Sequence, residues 1–200
     1  CSIIIYMRPL ILFFFILVVF DGRSSARERE QADVENTPVA EQVPVLLYAL
    51  NNHKMNNPKT GDIFLVLIVY PADFTPEGLA DVKAAFGAHT GKKISGKEIQ
   101  FEAVMFQSKT QLSKEIARKN ASAVYITRGN ESNIRVILGV TKLAKVMSIA
   151  GDYGYVHWHG ASLGVERAGS KNKILVSLMG CKNEGVVFDA RLLRMASVFF

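Results

Sequence analysis

Two hundred residues, 49% apolar and 21% charged, have the size and composition of one globular domain, not of a disordered or low-complexity chain. Lys and Arg number 24 against 18 Asp and Glu, and this net charge of +6 is spread without the basic run that marks a nucleic-acid face. Two cysteines, one of them Cys1, exclude a disulfide framework and a four-cysteine zinc site.

The strongest local signal comes first. Pro9 to Phe20 (PLILFFFILVVF) is an apolar run preceded by Arg8 and followed by Ser24-Ser25-Ala26. A basic start, a short apolar stretch and a small-residue cleavage site are the parts of a secretory signal, so residues 1–26 are expected to be removed after Ala26. Met7-Arg8 would make a conventional start. An uninterrupted apolar run of this length is short for a spanning helix, which needs about 20 residues. Arg27 to Gln42 is polar and charge-rich and reads as a disordered tether to a domain over residues 43–200.

Within that domain Val43 to Leu50, opened by Pro44, reads as a helix that Asn56-Asn57-Pro58 ends, with Met55 at its limit. Ile63 to Tyr70 (IFLVLIVY) is a continuous apolar run of strand length, as in a parallel strand buried on both faces. Glu77 to His89 is an amphipathic helix, Gly91 to Gly96 a turn, Ile99 to Phe106 a strand, Lys109 to Asn120 a helix and Ala121 to Thr127 a third strand. Ser132 to Leu143 then reads as a helix and Lys145 to Ala150 as a strand. Ala161 to Glu166 with Lys173 to Met179 form a hairpin through Ala168-Gly169-Ser170, and Asp189 caps a closing helix that reaches Val198. Alternating helices and strands on short connections predict α/β class: a single-domain layered α/β/α sandwich with a mainly parallel sheet and a C-terminal β-hairpin plus closing helix.

Chemistry-bearing patterns are sparse. His157-Trp158-His159 would place two imidazoles on one face of a strand, yet local spacing supplies no third ligand; Asp152 and Cys181 could join them only through folding, and no metal site is expected. Gly91-Lys92-Lys93-Ile94-Ser95-Gly96-Lys97 has the spacing of a phosphate loop, but Glu98 replaces the Ser/Thr and the segment precedes a strand instead of opening a helix. Cys181, beside Lys182, reads as a structural thiol. No nucleophile elbow or paired glycosidase carboxylates are present, so no catalytic residue and no cofactor are expected. Asp152 to Gly160 (DYGYVHWHG) sets Tyr153, Tyr155 and Trp158 between glycines, the aromatic loop composition that binding hot spots favour, and these three are the candidate partner-binding residues.

Val43-Pro44-Val45-Leu46-Leu47-Tyr48, Ala123 to Thr127, Ala161 to Val165, Lys173 to Leu178 and above all Phe188-Asp189-Ala190-Arg191-Leu192-Leu193-Arg194-Met195-Ala196 resemble successive blocks of the YfiR-like family of bacterial periplasmic proteins. The resemblance covers residues 43–199. It implies a non-enzymatic periplasmic regulator that controls an inner-membrane signalling protein, a diguanylate cyclase or sensor kinase, through protein contact, with homodimerisation left open. Two departures stand out: Cys181 has no mate for the redox disulfide of some relatives, and Asn51-Asn52-His53-Lys54 replaces the aromatic-acidic-Trp-Pro motif of many. The alternative is a periplasmic small-molecule binding protein, since a parallel sheet presents a crevice at its strand ends.

Overall fold

The computed structural model describes residues 34–200 apart from 56–58 and 60, so the expected signal segment and the first part of the expected tether, residues 27–33, lie outside the described residues. In chain order the elements are β1 (Val34–Glu35), α1 (Val39–Asn51), β2 (His53–Met55), β3 (Ile63–Tyr70), α2 (Pro76–Gly87), β4 (Lys93–Ile94) and β5 (Lys97–Met105). There follow α3 (Lys109–Lys119), β6 (Ala123–Ile126), α4 (Ile134–Ala144), β7 (Met147–Ala150), α5 (Tyr153–His157) and β8 (Leu163–Ala168). The chain closes with β9 (Lys171–Ser177), α6 (Leu178–Glu184), β10 (Val186–Phe188), α7 (Ala190–Met195) and β11 (Ser197–Phe199).

Eight strands lie in the order β11-β9-β8-β7-β6-β3-β5-β4. β3 pairs in parallel with both β5 and β6, and parallel pairing continues through β7 to β8. β8 and β9 form the expected antiparallel hairpin. The step from β3 to β5 runs one way along the sheet and the step from β5 to β6 runs back. Crossovers of one hand therefore put α2 on one face and α3 and α4 on the other.

The alternation of β3 follows from this burial on both sides. Phe64, Val66 and Ile68 join Leu46 and Leu50 of α1 and Val82 and Phe86 of α2 in one core. Leu65, Leu67 and Val69 join Leu112 and Ile116 of α3 and Ile134, Ile137 and Val140 of α4 in the other. The layered sandwich expected from the sequence is the fold observed.

Several boundaries differ for physical reasons. The end of the expected tether is structured: α1 begins at Val39, and Thr37 and Gln42 are wholly buried by polar contacts that sequence composition does not register. His53–Met55 is no helix end but a strand that pairs antiparallel with β10. The predicted strand through Met179 stops at Ser177, whose hydroxyl accepts from Gly180 N–H and caps α6. The closing helix stops at Met195, because Ser197 to Phe199 pair in parallel with Leu175 to Ser177.

Candidate functional site

Where strand order reverses, the loops that follow β3 and β6 separate, and open α/β sheets bind ligands in the resulting crevice. Here it is a cavity of about 170 Å³ lined by Gln42, Phe74, Asp81, Tyr125, Thr127 and Arg128, among others. The β6–α4 loop is held rigidly. Asn130, fully buried, donates from Nδ2 to the carbonyls of Val69 and Thr127, both at 3.2 Å. Its own N–H donates to the Tyr155 hydroxyl at 2.9 Å, and that hydroxyl donates to Glu131 at 3.0 Å.

Arg128 is thereby aimed back across the crevice. Its Nε donates to the Gly151 carbonyl at 3.2 Å and its Nη2 to the Thr37 carbonyl at 2.6 Å. Gln42 Nε2 donates to the same two carbonyls, at 3.0 and 2.7 Å, and Gln42 Oε1 accepts from the Tyr125 hydroxyl at 3.0 Å. Burial pushes the Tyr125 phenol far above its usual range, so it stays a neutral donor. Gly151 has to be glycine: a Cβ there would lie 2.7 Å from the Ile126 carbonyl and 2.8 Å from the Tyr125 hydroxyl. Among the described residues no partner is assigned to Arg128 Nη1. One guanidinium edge thus holds the scaffold and the other is available to a planar acceptor such as a carboxylate.

The three aromatic residues expected to form a partner surface are divided. Tyr155 is buried and holds the β6–α4 loop, and burial raises its phenol pKa. Tyr153 is half-buried, and Trp158 is 63% exposed. The indole lies across Gly154, where a Cβ would come within 2.5 Å of its ring, and meets the Tyr153 ring at a tilt of 58° with the ring centres 5.7 Å apart. His157 sits 4.2 Å from the Phe199 ring of β11, so α5 and the sheet edge share an aromatic face.

His157 and His159 do not project together from a strand. His157 ends α5 with Nε2 3.2 Å from Glu166 Oε2, while His159 follows the helix and meets Tyr155 edge-on at 6.4 Å. No group of three metal-ligating side chains occurs among the described residues. Cys181 is buried, and desolvation pushes its thiol up to about 12, which suits a structural thiol. The Gly91–Lys97 segment turns from α2 into the β4–β5 hairpin.

Arg128 and Gln42 escaped the sequence reading. Arg128 stands just beyond β6, and in an open parallel sheet the residues that follow the strands flanking the reversal face the crevice. Gln42 gave no comparable signal, since its role depends on Gly151 far along the chain.

No protein-family model matches this sequence, and no curated protein matches it. Solved structures do. A conserved domain protein from Vibrio cholerae O1 biovar El Tor superposes with a TM-score of 0.57 at 14% identity, over 82% of this chain and 60% of its own. An ABC domain from Streptococcus pneumoniae, solved in complex with L-Trp, superposes with a TM-score of 0.53 at 13% identity, again over 82% and 60%. The chain thus spans 60% of the length of either structure. The likeness establishes a shared doubly wound α/β fold.

Proposed function

We propose that this chain is an exported binding protein that holds a small carboxylate-bearing ligand in the crevice outside β3 and β6. The observation that carries the reading is Arg128, fixed by Thr37 and Gly151 with Nη1 left over at the point where strand order reverses. Asp81 on the same cavity would receive an ammonium group, so an amino acid of small volume suits both ends. The fold shared with an L-Trp-bound domain supports a ligand of this kind. Export to the periplasm rests on Arg8, the Pro9–Phe20 run and Ser24-Ser25-Ala26. Among the described residues no helix is long and apolar enough to cross a membrane.

The test is thermal denaturation with each of the common amino acids and short carboxylates. A ligand at a hundred times its Kd stabilises the native state by about 2.7 kcal/mol, which is several degrees in a domain of this size. Arg128→Lys keeps the charge but loses the fork, and should abolish the shift. If no amino acid or carboxylate raises the midpoint, the crevice is not a site for them.

The YfiR-like resemblance favours a second reading, control of an inner-membrane cyclase or kinase through protein contact. Trp158, exposed and tilted against Tyr153, is the observation in its favour. A tagged chain retaining such a membrane protein, with retention lost in Trp158→Ala, would support it.

A further inference from the structure

The sheet has a second pole, opposite the crevice, where the parallel strands β3, β6 and β7 begin. Helix α6 lies at it. β9 runs into α6 at the level where β8 starts, since Val176 pairs with Leu163, and Lys145, just before β7, donates from Nζ to the Asn183 carbonyl at 2.7 Å. One side of α6 turns inward through Cys181 and Glu184. The other carries Met179, 55% exposed, and Lys182, three residues on and therefore its neighbour on the helix surface.

β10 continues this surface. Val186 and Phe188 are buried, so Val187 between them points outward at 52% exposure, and its cross-strand partner Lys54 is exposed on the same face. Between α6, β10 and α7 opens a hollow of about 300 Å³ with walls of Leu178, Val186, Phe188 and Leu193, and of its described lining only Lys182 is charged. Arg191 and Arg194 are exposed on α7, next to Leu193 in the chain. From Leu178 to Phe199 the carboxylates are Glu184, which is buried, and Asp189, whose Oδ1 caps α7. The exposed charge around the apolar residues is therefore basic.

We propose that this face docks on a bilayer containing anionic lipid, with Met179 and Val187 entering the acyl boundary and Lys54, Lys182, Arg191 and Arg194 at the headgroups. Charge and residue type select a bilayer over a protein partner. Lysine is depleted in protein interfaces, whereas at a membrane surface its stem lies along apolar neighbours and its ammonium stays with the phosphates. The hollow beside α6 gives the end of an acyl chain apolar walls. The crevice of Arg128 lies at the opposite pole and shares no residue with this face, so docking leaves it open and neither reading depends on the other.

Co-sedimentation with vesicles of equal parts phosphatidylcholine and phosphatidylglycerol tests the proposal, against vesicles of phosphatidylcholine alone. The chain from Arg27 onward is used, so that the Pro9–Phe20 run contributes nothing; both cores consist of residues beyond it. Binding to the mixed vesicles should weaken as salt rises, and phosphatidylcholine alone should not bind. A cation near an anionic surface is worth about fivefold, so Lys182→Gln with Arg194→Gln should weaken binding about 25-fold. Met179→Gln with Val187→Thr keeps size and charge and should weaken it about fivefold. Lys109→Gln, at the far pole, should leave it nearly unchanged. All three variants should melt with the wild type, because the altered side chains are exposed. Poly-glutamate at the same charge concentration should displace little of the protein, having no apolar phase. Absence of binding to the mixed vesicles, equal binding to phosphatidylcholine, wild-type affinity in either double variant, or full displacement by poly-glutamate, which would assign the face to an acidic protein, would each overturn the proposal.

Discussion

Glu184 gives the sharpest test of how the C-terminal third is held. It is 2% exposed and pairs with no cation among the described residues; instead Thr141 Oγ1 and Ser162 Oγ donate to it at 2.5 Å and Ser148 N–H at 2.8 Å. Burial pushes its carboxyl above the ordinary value of 4.5, against the pull of those hydrogen bonds. A carboxyl raised in the native state binds more protons there than in the unfolded chain. Stability then falls as pH rises from 4.5 toward the folded value, and recovers on acidification over the same window. The largest slope is one proton, about 1.4 kcal/mol per pH unit. Glu184→Gln should abolish that slope at little cost, because Thr141 also reaches the Leu138 carbonyl at 3.1 Å and can turn its hydroxyl there to accept from the new amide. Glu184→Ala leaves the Ser162 hydroxyl and the Ser148 N–H unpaired while Thr141 turns to Leu138, at about 1–3 kcal/mol for each unpaired group before water enters, so a loss of about 2–6 kcal/mol is expected. Urea denaturation of the three proteins from pH 5 to 8 measures both effects. A Gln variant with the wild-type slope, or an Ala variant within 1 kcal/mol of wild type, would refute this account of Glu184.

Trp158→Ala should cost at most about 2 kcal/mol of stability, since only about a third of the side chain is buried; if the indole anchors a partner, affinity should fall about thirtyfold on a sensor chip. Gly180→Ala would place a Cβ 2.3 Å from the Gly160 carbonyl, and should destabilise by about 2–3 kcal/mol in chemical denaturation. Gly139→Ala, inside α4 with nothing within 4 Å, should instead stabilise by up to about 1 kcal/mol. Cys181, buried and with its thiol raised to about 12, should resist iodoacetamide at pH 8 until denaturant is added, as read by mass spectrometry.

What the sequence showed and concealed divides along range of interaction. Ile63 to Tyr70 was legible to the residue because burial on both faces needs only an unbroken apolar run. Helix α3 was legible too, with Ser108 accepting from Gln111 N–H at its start and Asn120 in the left-handed conformation at its end. Helix α6 was hidden: its seven residues carry a glycine at the contact with Gly160, and its glutamate points inward to Ser148 of β7 and to Ser162 just before β8. Strand β11 was hidden because it exists only through pairing with β9. At the aromatic segment, composition could not tell which side of a five-residue helix faces solvent, so Tyr155 and Trp158 looked equivalent.

The contacts that fasten α1 span most of the domain. Glu41 accepts from Asn172, 131 residues on, Thr37 reaches the same asparagine across 135, and β2 next to α1 pairs with β10. Loop-closure entropy has to be met before contacts of such separation form, and folds that depend on them are slow. During synthesis from the N-terminus α1 can meet β3 and α2 early, but the part of it that faces the β8–β9 hairpin waits uncovered until these strands emerge. The domain therefore becomes native only when nearly its whole length is available, and a nascent chain stalled before β9 should be a substrate for chaperones.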